Sequence, residues 1–282
     1  HLVLRRLPSL LLVSTAVLLA MLWSTAVRAV GEPTRQSVVD ASFMQVDEPR
    51  YLGSTLPEGT VLTDATGQDF RIGDLRGKPL ILLLSYYGCD GTCPVMNAEL
   101  AKVLAKVDRF RLGDDYRVLT VSFDRKDTPA TATDFLAKTD AVPASMRQGW
   151  RHAVLKQPDT QEAFAGGVGF RFFWSDAAEA FLHPNVLVFL TPQGRVARYI
   201  YGTGMDARNI ELAILDADWE RISNSSAVFD IMTGACFSYN YVEGRYQWNY
   251  SLLAGVGSLL SGITLMILGT WFYRKRMGRA NA

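Results

Sequence analysis

Cysteine and histidine are both scarce in this chain, with three of each among 282 residues. Three cysteines cannot build a disulfide scaffold, so their role is local: a redox pair, a metal site or packing. Neither sign of charge is in excess. Lys and Arg number 29 against 28 Asp and Glu, a formal net charge of +1, so no global field recommends nucleic acid or acidic partners, and no nucleic-acid partner is expected. Internal repeats and low-complexity tracts are absent as well, which excludes solenoids and disordered linkers. What the chain has in plenty is apolar residues, 49% of the total, enough to place part of it in lipid.

Two segments carry that excess. Residues 7–27 are uncharged and follow Arg5 and Arg6. They read either as a secretory signal with a small-residue cleavage site at Val27-Arg28-Ala29, or as a span, which needs ~20 apolar residues. The chain opens on His rather than Met, so its start is expected to lie upstream, and a retained signal-anchor over 1–30 is the expectation. The second segment, 251–273, is followed at once by Arg274, Lys275 and Arg276. Trp248 and Tyr250 stand before it and Trp271 and Tyr273 close it, the pattern of an aromatic belt. Basic residues outside both segments put both termini, including the tail 274–282, in the cytoplasm and the domain between on the other side.

Residues 31–59 read as a polar lead-in and 223–250 as a juxtamembrane segment. Between them, 60–222 alternates strand and helix. A hairpin over 61–63 and 69–72 precedes an unbroken apolar run, 80–87, suited to a strand buried on both faces. Helical spacing follows over 95–110, then a strand at 117–123, a helix over 127–138, a strand at 150–155 and a short helix at 159–168. Strands at 185–190 and 195–201, joined by Thr191-Pro192-Gln193-Gly194, and a helix over 205–222 complete the pattern. Such alternation with a closing hairpin predicts an α/β domain with a mixed sheet.

The candidate chemistry sits where the buried strand meets the first helix, in Gly88-Cys89-Asp90-Gly91-Thr92-Cys93-Pro94. Three intervening residues let the two sulfurs form a disulfide or share a metal. A helix starting at Thr92 or Cys93 would put the second sulfur at a helix N-terminus, so Cys93 is expected to be the favoured thiolate.

This turn resembles that of the Sco/SenC family of copper proteins, which serve cytochrome oxidase assembly. Other stretches fit: Val121-Ser122-Phe123-Asp124 before Asp127-Thr128-Pro129, Gly149-Trp150-Arg151-His152, Val168-Gly169-Phe170, and His183 ahead of an apolar strand and Thr191-Pro192-Gln193-Gly194. The resemblance covers about 60–222 and implies a thioredoxin-like fold, flanked here by N-terminal and C-terminal transmembrane helices. Cys89, Cys93 and His183 would bind copper. Asp124, at a strand end, reads equally as a residue supporting those ligands from behind or as a helix-start residue. The sequence departs from the family at Asp90-Gly91, where many members carry proline after the first cysteine, at Arg125, where proline is common, and at Pro184, where a small polar residue is usual. Asp90 adds a negative charge that favours a bound cation.

The donor set agrees with copper on its own chemistry. Two thiolates suit Cu(I) and an added imidazole suits Cu(II). Structural zinc wants four protein ligands and iron–sulfur clusters usually four cysteines. His152 lies in a strand and reads as structural. Cys236, near the second apolar segment, reads equally as packing or as a redox or metal group. Three functions follow. One is a carrier delivering copper to a respiratory oxidase subunit in a bacterial inner membrane, with its domain in the periplasm. Another is a thiol–disulfide oxidoreductase using the Cys89–Cys93 pair. The third is an accessory subunit of a membrane electron-transport complex. Tyr86 stands three residues before Cys89, where peroxiredoxin motifs carry threonine, which speaks against peroxidase chemistry.

Overall fold

A computed structural model describes residues 44–280 except 90, 140–141, 203–204, 223–226, 231–234, 241–244 and 249. The N-terminal apolar segment and most of the lead-in therefore lie outside the described residues.

The domain is built on a mixed sheet of seven strands in the order β2-β1-β5-β4-β3-β8-β9. Its strands are β1 (Val61–Asp64), β2 (Asp69–Arg71), β3 (Leu80–Ser85), β4 (Arg117–Ser122), β5 (Trp150–Leu155), β8 (Val186–Leu190) and β9 (Val196–Tyr201). β3, β4 and β5 run parallel at the centre, with antiparallel β1 and β8 on either side. Every residue of β3 and of β8 is buried, as their unbroken apolar runs require.

The helices are α1 (Glu48–Tyr51), α2 (Thr92–Leu104), α3 (Pro129–Thr139), α4 (Gln161–Gly167) and α5 (Ala207–Asp218). Alternate side chains of β3 divide the core. Ile81 and Leu83 pack with Leu100 and Leu104 of α2 and with Ile210 and Ile214 of α5. Leu82 and Leu84 pack with Val46, Leu56, Phe164 and Phe170. This is the α/β architecture with a mixed sheet expected from the alternation, and the thioredoxin-like fold implied by the resemblance.

Two small sheets lie outside that alternation. β6 (Phe173–Ser175) and β7 (Ala180–Leu182) form a hairpin just before His183. β10 (Ala227–Asp230), β11 (Ala235–Asn240) and β12 (Arg245–Trp248) form a three-stranded antiparallel sheet in the stretch read as juxtamembrane. Cys236 sits on β11, paired in register with Phe229. The chain then enters α6 (Tyr250–Ala280). Its stretch Leu253–Trp271 is long and apolar enough to cross a membrane, and none of it is covered by the rest of the described protein. At 1.5 Å per residue that stretch spans ~28 Å, the thickness of a bilayer's hydrocarbon core.

Candidate metal centre

β3 ends at Ser85, and the chain turns through Tyr86, Tyr87 and Gly88 to Cys89 before α2 begins at Thr92. The loop is pinned from two sides. Tyr87 N donates to Asp127 Oδ2 at 2.7 Å, and Ser122 Oγ donates to the same oxygen at 2.5 Å. Asp127 Oδ1 accepts from Thr131 Oγ1, in the first turn of α3, at 3.2 Å. Burial, the largest influence, raises the Asp127 pKa, and these donors work against it.

From below, Asn97 fixes the first turn of α2. Its Nδ2 donates to the Cys93 carbonyl at 2.9 Å, while its Oδ1 accepts from Thr120 Oγ1 at 3.1 Å and faces His152 Nε2 at 3.1 Å. Trp150 Nε1 donates to Thr120 Oγ1 at 2.9 Å. An amide oxygen only accepts, so the His152 proton belongs on Nε2. The network is buried throughout, and burial drives the His152 pKa down to about 3, so the ring stays neutral.

Cys89 and Cys93 are both buried free thiols. The Cys93 thiol donates to the Cys89 sulfur, which also receives the Tyr86 hydroxyl and the Gly91 amide, the latter at 3.4 Å. The bond from Cys93 is the largest of these influences, and together they bring Cys89 down to about 5 despite its burial. Cys93 is pushed up by the same bond and by its own deeper burial. Cys93 lies in the first turn of α2, and the two sulfurs share a proton in their contact.

His183 leaves β7 for β8 and is 8% exposed. Its Nδ1 lies 3.0 Å from the Pro184 carbonyl, which can only accept, so Nδ1 carries the hydrogen and Nε2 carries the lone pair. The ring is walled by Phe123, Phe170 and Tyr86 at centroid distances of 5.2, 5.6 and 6.2 Å. Burial lowers its pKa, partly countered by the Pro184 carbonyl and by the Cys89 charge. Tyr86 thus touches both parts of the site: its hydroxyl reaches Cys89 and its ring meets His183 edge-on.

The sulfur pair is already assembled, whereas the imidazole stands apart from it. Among the described residues, no three His, Cys, Asp or Glu side chains are placed to hold a metal ion together. Asp124 makes a turn contact, with Oδ1 accepting from Lys126 N at 2.9 Å. Asp127, three residues on, holds the loop instead. Sequence reasoning missed Asp127 because it reads as a helix-start residue, and missed Asn97 because polar positions on a helix usually face water. His152 is structural in its contacts, as expected.

The donor types fit a soft cation: two sulfurs and an imidazole nitrogen whose lone pair the Pro184 bond leaves free.

The family model of SCO1/SenC matches residues 59–214, more than half of the chain. None of the curated proteins compared matches it. Among solved structures, one from Aquifex aeolicus VF5, provisionally described as an electron transfer protein, is 30% identical with a TM-score of 0.54, covering 60% of this chain and 95% of that one. A second from the same organism, provisionally an electron transport protein, is also 30% identical, with a TM-score of 0.51 and coverage of 60% and 99%. A SCO1/SenC family lipoprotein from Bacillus anthracis is 18% identical with a TM-score of 0.51, covering 59% and 96%, and shares the fold.

Proposed function

The chain belongs to the SCO1/SenC family, and from that premise we propose that it is a membrane-anchored copper carrier in which Cys89, Cys93 and His183 take up one copper ion for delivery to the copper site of a respiratory oxidase. The observation that carries this reading is the contact between two buried free cysteines at the start of α2, together with a buried imidazole whose Nε2 is left for a ligand. Cys89 and Cys93 would supply the soft, anionic donors, and uptake would displace the Cys93 proton to solvent. His183 would complete the set, shielded from water by Phe123 and Phe170. Asp127 holds the loop at Tyr87 and Asn97 holds the Cys93 carbonyl, so the sulfur pair needs little ordering, and it is His183 that would have to approach when the ion arrives. The helix α6 would anchor the domain on the periplasmic side of an inner membrane; a reporter fused to the C-terminus should then read as cytoplasmic.

The contact between the two free thiols favours a second reading, a thiol–disulfide oxidoreductase using Cys89 and Cys93 as its redox pair. Competition titration with a Cu(I) chelator on the reduced full chain separates the two. As a copper carrier, wild type binds one ion per chain, and Cys89→Ser or Cys93→Ser weakens binding by orders of magnitude. His183→Ala harms Cu(II) more than Cu(I). An oxidoreductase would lose thiol exchange with either cysteine change and keep it with His183→Ala. Wild type that takes up no copper would refute the carrier reading.

A further inference from the structure

Arg117 opens β4 and Arg151 is the second residue of β5. Arg151 stands opposite Leu119 in the parallel register, so Arg117 and Arg151 lie on the same face of the sheet. Both are half-buried and line one cavity of about 370 Å³, together with Leu75, Leu112, Gly113 and Gly149. At about 30 Å³ per water it has room for about a dozen, and it falls in the ~300–1,000 Å³ range of small-molecule sites. The thiols lie beyond the other end of these strands, five residues or ~17 Å away.

The walls are fixed without a ligand. A Cβ on Gly149 would stand 2.6 Å from Leu112 Cγ and 2.7 Å from Gly113 N, so glycine alone lets that backbone close against it. Gly113 N donates to the Tyr116 carbonyl at 2.7 Å, and Arg111 N donates to Asp115 Oδ2 at 2.7 Å. Among the described residues neither cavity arginine meets a carboxylate. Arg117 donates to the Arg76 carbonyl at 3.5 Å, and the Arg151 guanidinium lies 4.8 Å from the centre of the Phe70 ring. Lys78 Nζ, donating to the Gly113 carbonyl at 2.8 Å, adds a third cation nearby. Asp74 and Asp114 also line the cavity, but each has a partner of its own. Asp74 accepts the Arg71 amide at 2.8 Å, and Asp114 lies 3.7 Å from Arg111. The two guanidinium groups are left for a ligand.

We infer that this cavity binds a small organic anion, a phosphate monoester or a dicarboxylate, held between Arg117 and Arg151. A guanidinium is a planar fork that takes the oxygens of a carboxylate or phosphate two at a time. The Phe70 ring holds the Arg151 fork in place before a ligand arrives, which lowers the cost of ordering it. A chloride ion would meet the charge but not the fork. The volume leaves room for a carbon skeleton, which Leu75 and Leu112 would cover.

The test is isothermal titration of the full chain in detergent micelles with glycerol 3-phosphate and with succinate, at an ionic strength held constant with sodium chloride. At least one of the two should bind once per chain, with a Kd of about 1 mM or tighter. Glycerol 3-phosphate alone would identify a phosphate ligand and succinate alone a dicarboxylate; binding of both would mean that the shared oxyanion is what the site reads. Arg117→Gln and Arg151→Gln should each weaken binding at least about tenfold, the loss of a hydrogen bond between charged groups. Arg117→Gln leaves the Phe70 contact in place, so it tests the site even if Arg151→Gln lowers stability. Arg125→Gln removes the same charge beyond the far end of β4 and should bind as wild type does. No saturable binding of either anion, wild-type binding in Arg117→Gln, or an equal loss in Arg125→Gln would overturn the inference.

Discussion

His152 and His183 are both buried, and each commits one ring nitrogen to an oxygen that can only accept. What differs is the other nitrogen. In His183 it is Nε2, left with its lone pair; in His152 it is Nδ1, buried with no hydrogen-bond partner. Protonating His152 would put a charge in the core with nothing to receive the new hydrogen, so its folded pKa of about 3 lies below the unfolded 6.5. Between those values the unfolded chain binds a proton that the native chain refuses. The stability from the neutral ring is therefore complete above the unfolded value and is lost as pH falls through 6.5 toward 3, by about 1.4 kcal/mol per pH unit. Urea unfolding of wild type and His152→Gln at pH 7, 6, 5 and 4 checks this. The wild-type curve should fall more steeply, by about that slope, and parallel curves would contradict it. Single residues were the part of the site least legible in the sequence. The pair Cys89 and Cys93 was evident from spacing, but which sulfur carries charge depends on a thiol–thiol contact and on depth, and neither has a sequence signature.

At the scale of elements, α2 holds the site because one polar residue, a turn beyond Cys93, faces inward. Asn97 joins the Cys93 carbonyl to β4 through Thr120 and to β5 through His152, so helix and central strands meet in a closed set of bonds rather than by apolar contact alone. Replacing it by alanine would orphan the Thr120 hydroxyl and His152 Nε2 together. At 1–3 kcal/mol for each of the two buried orphans, Asn97→Ala should cost about 2–6 kcal/mol, read as a lowered urea midpoint. A loss under 0.5 kcal/mol would mean that the network contributes little. The strands of the main sheet were legible because apolar runs such as those of β3 and β8 have few alternatives in a domain of this size. The β6–β7 hairpin was not. Its residues are half-buried or exposed, with Phe173 and Trp174 facing out, so neither alternation nor a continuous run marks it. Its packing comes instead from Phe181, which meets Tyr86 and Trp174 edge-on and so ties the hairpin to the site.

For the whole molecule, the question is whether the domain ends where the thioredoxin-like pattern does. Arg198 of β9 and Asp216 of α5 form an ion pair that is 1% and 0% exposed, at 3.0 Å. Burial pushes the Asp216 pKa up, with Arg198 and Tyr246 pulling against it. Tyr246 of β12 donates its hydroxyl to the same carboxylate oxygen at 2.5 Å, and its amide donates to Asn209 Oδ1 at 3.0 Å. Tyr246 is itself buried in the cluster formed by β3, α2 and α5. A residue assigned to a juxtamembrane connection thus completes the polar core beneath the main sheet, and α6 begins four residues later. Two consequences follow. Tyr246→Phe removes one bond to a buried charge and should cost about 1.5–3 kcal/mol. A chain ending at residue 222 also loses the buried Tyr246 ring and uncovers the Arg198–Asp216 pair, so it should lose more than Tyr246→Phe. Urea midpoints in micelles for the full chain and Tyr246→Phe, and in buffer and micelles for the shortened chain, supply the comparison. A domain complete at residue 222 would match the full chain in stability, and the β10–β12 sheet would then be a tether. If the shortened chain unfolds first, that sheet belongs to the domain, and α6 is coupled to the main sheet through Tyr246.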